Sequence, residues 1–319
     1  MAASSPEYPQ IRLCLLLLVA LLGACAAGPQ TRQLLETPPH IPAQAELTGV
    51  PFFPQLEYNC GPAALASIIS YRGNPIVPGQ ITPLIFVPGL KGSLQIEVVA
   101  ATRQFDLLPV RLEPRMESIL REVAAGNPVF VLQNLGLDSL PYWHYEVVVG
   151  YDLNEGVMIL RSGVERRLLR DFAVFENTWQ RAGYWALAVV AADSIPVSAT
   201  QQAYVASAID MEQVGRIQTA HLAYASASQR WPDSLLAHIG LANTAYELGD
   251  YEAAVDAYQQ ALALEPGRAG LWNNLAYALS QQGHREAAME AISRAIVLDP
   301  DNQNFRDSER ELIDWKVGN

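Results

Sequence analysis

The sequence predicts two folded units: an α+β domain in which helices pack on an antiparallel sheet, followed by an all-α solenoid of helical repeats. The first observation is the length of 319 residues, which allows two domains with separate cores. The second is the order of patterns in the first half, where helical stretches precede several β-rich segments. The third is a 34-residue periodicity in the second half. We assign residues 47–197 to the first unit and residues 198–319 to the second.

The N-terminal residues have the pattern of a secretory signal. Residues 11–24 are apolar except for Arg12, and this run is shorter than the ~20 residues that a transmembrane helix needs. It ends in Leu22-Gly23-Ala24-Cys25, which resembles a bacterial lipobox. The resemblance implies that residues 1–24 are a lipoprotein signal peptide and that Cys25 is lipidated. An ordinary signal peptide and a lone membrane anchor that happens to end in cysteine are the alternatives.

The residues after Cys25 indicate where the protein is located, and the charge of the whole chain indicates which partners it can bind. By resemblance to bacterial sorting rules, Ala26 in place of Asp after the lipidated cysteine favours the outer membrane. We therefore expect the protein in the cell envelope, anchored by its lipid to the periplasmic face of the outer membrane. Residues 25–46 are rich in proline and have few apolar side chains, which predicts an extended tether. The whole chain has 33 Asp and Glu against 21 Lys and Arg, which argues against a nucleic-acid partner.

Cys60 is the candidate nucleophile. Cys14 lies in the predicted signal and Cys25 carries the predicted lipid, which leaves Cys60 as the single free thiol of the three cysteines. Pro62 suits the first turn of a helix, so we expect a helix over residues 63–71. A cysteine at a helix N-terminus is favoured as the reactive thiolate by the helix dipole. The alternative is a buried structural cysteine before an ordinary helix.

The sequence of the remainder of the first unit predicts helices followed by strands. Residues 74–92 are rich in Pro and Gly and lack a clear periodicity, so we expect a loop there. A turn at 153–156 joins two of the expected strands into a hairpin. The predicted helices span 94–105 and 116–125, and the predicted strands span 107–112, 128–135, 144–152, 157–160 and 186–191.

Two motifs of the first unit resemble papain-fold cysteine peptidases, specifically the bacteriocin-processing (double-glycine leader) peptidase family. The first is Gln55 followed by Cys60-Gly61-Pro62-Ala63-Ala64-Leu65-Ala66, and the second is the strand His144-Tyr145-Glu146-Val147-Val148-Val149-Gly150-Tyr151-Asp152. The resemblance implies a papain-like fold with Cys60 as nucleophile, His144 as general base and Gln55 as an oxyanion donor. Elimination agrees, because only His40 and His144 precede the repeats and His40 lies in the predicted tether. The alternative is that His144 only fills a sheet edge.

The third member of the expected catalytic group departs from the family. The family places an Asp on the second strand of the hairpin to hold the imidazole, whereas this chain has Ser162 in that region. Because side chains alternate along a strand, Ser162 is expected to lie diagonally across the hairpin from His144 on the same face. Asp152, at the far end of the hairpin, and Asn134, on the preceding strand, are further candidates. The missing carboxylate suits a less efficient catalyst or an inactive one.

The second unit keeps its register over three repeats. Their spacing and pattern are those of tetratricopeptide repeats, at about 199–232, 233–266 and 267–300, with a closing helix at 301–317. A polar break at 196–200 predicts that the repeats fold without the first unit. The positions that coincide at intervals of 34 are Gly215, Gly249 and Gly283; Ala220, Ala254 and Ala288; Ala223, Ala257 and Ala291; Ala227, Ala261 and Ala295; and Pro232, Pro266 and Pro300.

Together these patterns predict an envelope-anchored cysteine peptidase that hydrolyses a peptide or protein substrate through a thioester, with repeats that recruit a protein partner. Residues 199–319 contain 16 Asp and Glu against 8 Lys and Arg, which favours a basic or neutral peptide. The sequence shows no metal-ligand spacing and no phosphate-binding loop, so we expect neither metal nor cofactor. The alternatives are a catalytically weak or inactive peptidase-fold scaffold that binds peptides, and acyl transfer to an amine.

Overall fold

The computed structural model describes residues 28–55 and 58–314. The predicted signal peptide and the predicted lipidation site Cys25 lie outside these residues. A seven-stranded antiparallel sheet with helices forms the first unit, and helices alone form the second. The predicted order of an α+β unit followed by an all-α unit is confirmed. Among the described residues, no helix has both the length and the hydropathy needed to cross a bilayer.

The strands lie in one large sheet and one small hairpin. The large sheet has the order β4-β9-β5-β6-β7-β8, with β1 paired to the end of β6, while β2 and β3 pair with each other. Their bounds are β1 (Gln44–Glu46), β2 (Phe86–Val87), β3 (Gly92–Ser93), β4 (Leu107–Arg111), β5 (Val129–Asn134), β6 (Trp143–Asp152), β7 (Val157–Ser162), β8 (Glu165–Asp171) and β9 (Ala186–Ala191).

Helices cover both faces of the large sheet. They are α1 (Pro29–Glu36), α2 (Cys60–Tyr71), α3 (Pro78–Ile85), α4 (Gln95–Arg103), α5 (Met116–Ala124) and α6 (Phe172–Gln180). The first core joins the sheet to α2, α3 and α4, and the second joins it to α1, α5 and α6. Because side chains alternate along β6, Tyr145 and Val147 belong to the first core and Val148 belongs to the second.

The prediction of an extended tether over residues 25–46 is wrong for its described part. In α1, Leu34 is buried in the second core, and the backbone N–H and hydroxyl of Thr31 both donate to the buried carboxylate of Glu176. Further on, β1 pairs with β6, with Ala45 opposite Tyr151. The segment is therefore part of the folded unit, because it buries Leu34 and pairs β1 with the sheet.

The prediction of a loop over residues 74–92 is also wrong. The segment contains α3, a 3₁₀ turn (Pro88–Leu90) and the β2–β3 hairpin. Ile81 and Ile85 of α3 are fully buried against α2, and Pro83 is accommodated inside this short helix. Packing of two isoleucines thus outweighs the local preference of a proline- and glycine-rich sequence.

The helical unit has the predicted pairing of helices. Gly215, Gly249 and Gly283 have φ values of 76°, 81° and 78°, the left-handed conformation that glycine tolerates between paired helices. The nine alanines at the repeating positions are all buried. The helices are α7 (Gln201–Gln213), α8 (Ile217–Arg230), α9 (Leu235–Glu247), α10 (Tyr251–Leu264), α11 (Ala269–Gln281), α12 (Arg285–Leu298) and α13 (Gln303–Asp314).

The first repeat does not stand apart from the sheet. Tyr204 and Met211 of α7 share one core with Leu108 and Val110 of β4. Polar contacts cross the same junction: the Tyr204 hydroxyl donates to the Ala192 carbonyl, and other bonds join Ser207 to Pro109, Arg103 to Asp210 and Thr219 to Asp106. The polar break at 196–200 is therefore not a boundary between independent cores.

Candidate active site

Cys60 is the first residue of α2, and its thiol is free and partly buried. Burial raises the pKa of the Cys60 thiol above its ordinary value. Hydrogen bonding to the backbone of Tyr145, and to the helix-terminal backbone of Gly61 and Cys60 itself, lowers this pKa but does not outweigh burial, and the charge of Glu146 raises it further. The expectation that the helix dipole makes Cys60 a low-pKa thiolate is therefore wrong, because desolvation is the larger effect.

His144 lies near the start of β6 with its side chain 13% exposed. Its Nε2 is 3.0 Å from Ser162 Oγ, so the predicted contact across the hairpin is present. Burial, together with the positive charge of Arg170, lowers the pKa of His144 to about 4, which leaves the imidazole neutral near pH 7.

The thiol lies beside the strand that carries the imidazole. The Cys60 thiol contacts the backbone of Tyr145, the residue that follows His144 in β6. The hydrogen bonds of residues 28–55 and 58–314 include none between Cys60 and His144. Catalytic hydrogen bonds are often long before substrate binds, so the arrangement is compatible with a nucleophile and a base.

Gln55 is held at the same end of the hairpin. Its backbone N–H donates to the carbonyl of Gly163, the residue after Ser162, at 2.9 Å. Its side-chain Oε1 is buried and has no hydrogen-bond partner among the described residues. The predicted role of Gln55 as an oxyanion donor stays a prediction.

Glu146 is the site residue that the sequence motifs did not single out. Its side chain is fully buried, with Oε1 2.5 Å from Ser162 Oγ and 3.7 Å from His144 Nε2. Burial raises the pKa of Glu146, while Arg170 and the hydrogen bond from Ser162 oppose that rise. Two signals were available: Glu146 follows His144 by two residues, which puts both on one face, and it is a charged residue in a buried strand.

The two other candidates for the third member have structural contacts instead. Asp152 lies eight residues along β6 from His144, about 25 Å at ~3.3 Å per residue. Its carboxylate accepts hydrogen bonds from Gln44 Nε2 and from two backbone N–H groups of the following turn. Asn134 Oδ1 accepts from the backbone N–H groups of Gly136 and Tyr142 and so orders the loop before β6.

Two groups of exposed apolar side chains lie in segments that adjoin the candidate site. One group precedes His144 directly, and the other lies around β3, where Ser93 contacts the N-terminal turn of α2 so closely that a Cβ on Gly61 would be 2.7 Å from Ser93 Oγ. The first group is Leu137, Leu140, Tyr142 and Trp143, and the second is Leu90, Leu94 and Ile96; all seven are 44–76% exposed.

Comparisons with known proteins match both units. Residues 47–187 match the model of the Peptidase_C39 like family, and residues 206–268 and 239–303 match the Tetratricopeptide repeat model. A comparison with curated proteins gave no match.

Solved structures are similar to each unit in turn. A Bacillus anthracis protein described as C39-like is 19% identical and covers 46% of this chain and 97% of its own, with a TM-score of 0.39. The second tetratricopeptide domain of human RPAP3, in complex with an HSP70 peptide, is 16% identical and covers 35% of this chain and 95% of its own, with a TM-score of 0.34. On the two family models, the chain combines a C39-like peptidase domain with a region of tetratricopeptide repeats.

Proposed function

We propose that the first unit is a cysteine peptidase with Cys60 as nucleophile and His144 as general base and then general acid. The observation that carries the proposal is the position of a free thiol at the first residue of a helix, beside the strand backbone that follows His144. Ser162 occupies the Nε2 side of the ring, which leaves Nδ1 to take the thiol proton. The match of residues 47–187 to the C39-like family model supports the same chemistry.

The reaction starts from a neutral pair. His144 Nδ1 takes the Cys60 proton as Sγ attacks the peptide carbonyl carbon, and the resulting oxyanion is stabilised by the Cys60 backbone N–H and the Gln55 side chain. Protonated His144 then gives its proton to the leaving amine as the C–N bond breaks, which leaves a thioester on Cys60. Water, deprotonated by His144, attacks the thioester; the carboxylic acid leaves and Cys60 regains its proton.

An electrophilic peptide probe tests the proposal. The probe should label Cys60 in the wild type, fail to label Cys60→Ala, and label His144→Ala about 100-fold more slowly, since a positioned base contributes roughly 10²–10⁴-fold. His284→Ala, at an exposed histidine of the repeats, is the matched control and should react like the wild type. Mass spectrometry of the products with an added amine separates hydrolysis from acyl transfer.

A non-catalytic peptide-binding scaffold is the second candidate. Two observations favour it: no hydrogen bond joins Cys60 to His144 among the described residues, and the pKa of His144 is lowered to about 4. A peptide that binds the wild type and Cys60→Ala equally, with no turnover and no probe labelling, would support the scaffold and exclude the peptidase.

We propose that apolar side chains of the substrate pack on the exposed residues beside the site. Leu140 and Trp143 are 76% and 52% exposed and lie in the segment that leads into His144. Replacing both with Ser should raise KM and leave kcat nearly unchanged, because the contacts bind the ground state and the transition state alike. An unchanged KM for apolar peptides would contradict this surface as a substrate contact.

We propose that the repeats recruit a protein partner through a basic or neutral segment. The support is the excess of acidic side chains in residues 199–319, 16 against 8 basic ones. Basic and acidic peptides of equal length should differ in affinity for the full chain, and the preference for the basic peptide should weaken as salt rises. Equal, salt-independent binding of both would contradict selection by charge.

We also propose that Cys25 carries a lipid that anchors the protein in the bacterial envelope, at the periplasmic face of the outer membrane. The support is the apolar run that ends in Leu22-Gly23-Ala24-Cys25. On fractionation, the wild type should be found with the outer membranes. The mature Cys25→Ser variant should carry no lipid. An unlipidated, soluble wild type would contradict the anchor.

A further inference from the structure

A buried polar network lies behind His144 and ends on Glu146. Ser162 Oγ is 2.5 Å from Glu146 Oε1, and Gln133 Nε2 is 2.5 Å from Glu146 Oε2, so each carboxylate oxygen has its own partner. The Thr178 hydroxyl of α6 donates to Gln133 Oε1. Arg170 of β8 lies 3.4 Å from Glu146 Oε1 and supplies the opposite charge.

The directions of these hydrogen bonds follow from the donor inventory. The Ser162 hydroxyl donates its one proton to Glu146 Oε1, the only direction open to it when the carboxylate is ionised. Ser162 Oγ can then only accept from the ring, which requires the proton of neutral His144 to be on Nε2. The lone pair of the ring is left on Nδ1, the nitrogen that the proposed reaction uses as its base.

Besides the charge of Arg170 on β8, the network is anchored on three elements other than β6. Gln133 comes from β5, Ser162 from β7 and Thr178 from α6, and Glu146, Gln133 and Ser162 are at most 5% exposed. Val147 pairs with Arg161 in the sheet, and this register brings Glu146 opposite Ser162. The carboxylate therefore reaches His144 through a hydroxyl and not directly, since Glu146 Oε1 is 3.7 Å from Nε2.

We propose that Glu146 is the positioning residue of the site and acts on His144 through Ser162, in the place where the family has a directly bonded aspartate. The inference rests on the proposed function for its catalytic meaning. Glu146 fixes the orientation and the Nε2–H form of the ring, and its charge stabilises the imidazolium that forms when Cys60 is deprotonated. Gln133, Thr178 and Arg170 hold the carboxylate in place.

Nuclear magnetic resonance of the full chain with ¹⁵N-labelled histidine tests the ring state without substrate. We expect a downfield, exchange-protected Nε2–H proton for His144 in the wild type, identified by its loss in His144→Ala. Ser162→Ala should lose this resonance, Glu146→Gln should shift it upfield, and Ser162→Thr should keep it because the hydroxyl is retained. Glu155→Gln, at an exposed glutamate in the turn at the far end of the hairpin, is the matched control.

Peptide hydrolysis provides the second measurement. Glu146→Gln and Ser162→Ala should each lower kcat about 10- to 100-fold with KM unchanged, which is part of the roughly 10²–10⁴-fold effect of a positioned base. A His144 proton on Nδ1, or an Nε2–H resonance that neither variant alters, would overturn the relay. Because the ring proton is observed in the free protein, a failure of the proposed peptidase activity leaves this test decisive.

Discussion

At the scale of single residues, desolvation governs the candidate site. Burial raises the pKa of Cys60 and lowers that of His144 to about 4, so the resting pair is a thiol and a neutral imidazole. A thiolate–imidazolium pair requires a charged ring beside the sulfur, and burial disfavours both charges. In the proposed reaction, the nucleophile is therefore generated by proton transfer during attack.

Alkylation of Cys60 should report this directly. We expect the rate with iodoacetamide to be slow at pH 6 and to keep rising beyond the ordinary thiol pKa of roughly 8.5, because only the thiolate reacts and burial disfavours it. The pH dependence of carboxymethylation at this residue, followed by mass spectrometry, checks it. Fast labelling at pH 6 would contradict the protonated resting state.

Burial of His144 also makes folding sensitive to acid. The folded-state pKa of about 4 lies below the unfolded value of roughly 6.5, so stability is fully present above pH 6.5 and is lost as the pH falls towards 4. The loss is about 3 kcal/mol, from ~1.4 kcal/mol per pKa unit. Urea unfolding at pH 7 and pH 4.5 should show a smaller loss in His144→Gln, whereas His284→Gln should follow the wild type.

Individual site residues were predictable to different extents. Cys60 and His144 became candidates through residue type and elimination, and their catalytic roles stay predictions; the Ser162 contact, expected from strand alternation, is confirmed. Glu146 was not predicted although it is in the same motif, because the family pattern places the third residue on the neighbouring strand. The pKa directions were not predictable, since they depend on how deeply each group is buried by distant parts of the chain.

At the scale of elements, the accuracy of a prediction depends on whether the element has a local sequence signal or is stabilised by long-range packing. Strand β9 was predicted with its observed bounds, because a continuous apolar run suits a central strand. Helix α1 was not predicted: its stability comes from Glu176, which is about 145 residues away in sequence. A short polar helix with proline at its start carries no local sign of such a partner.

The contact between α8 and α9 provides a matched pair of substitutions. A Cβ on Gly240 would lie 2.3–2.5 Å from the ring of buried Tyr224, whereas a Cβ on Gly270 would meet nothing within 4 Å. Gly240→Ala should destabilise the chain by about 1–3 kcal/mol through overpacking. Gly270→Ala should be neutral or stabilise by up to about 1 kcal/mol. Urea denaturation monitored by circular dichroism gives both values, and equal effects would contradict the tight helix contact.

At the scale of the whole molecule, the sheet and the repeats share a core. The first repeat packs Tyr204 and Met211 against β4, so the sheet takes the place of a capping repeat at that end of the stack. The sequence predicted the repeats but not this contact, because the apolar face of α7 has the same pattern whether it packs on a helix or on a strand.

A fragment of residues 199–319 should therefore be less stable than the repeats within the full chain. Isolation exposes Tyr204, Val205 and Met211, all of which are buried in the shared core. We expect a lower melting temperature and binding of a hydrophobic dye, both absent from the full chain at the same temperature. A fragment that melts cooperatively at the temperature of the full chain would show that the repeats are independent after all.

The Glu176 contact with α1 also limits how far the protein can reach. Hydrogen bonds to Glu176 hold the chain from Gln30 onwards, and a Cβ on Gly28 would lie 2.2 Å from the Glu176 carboxylate, so the chain is fixed close to Gly28. With a lipid on Cys25, two residues would separate the anchor from Gly28, a distance of at most about 11 Å when fully extended. An anchor this short would hold the folded unit within a thin layer at the bilayer surface, where it would meet molecules that are themselves at the membrane.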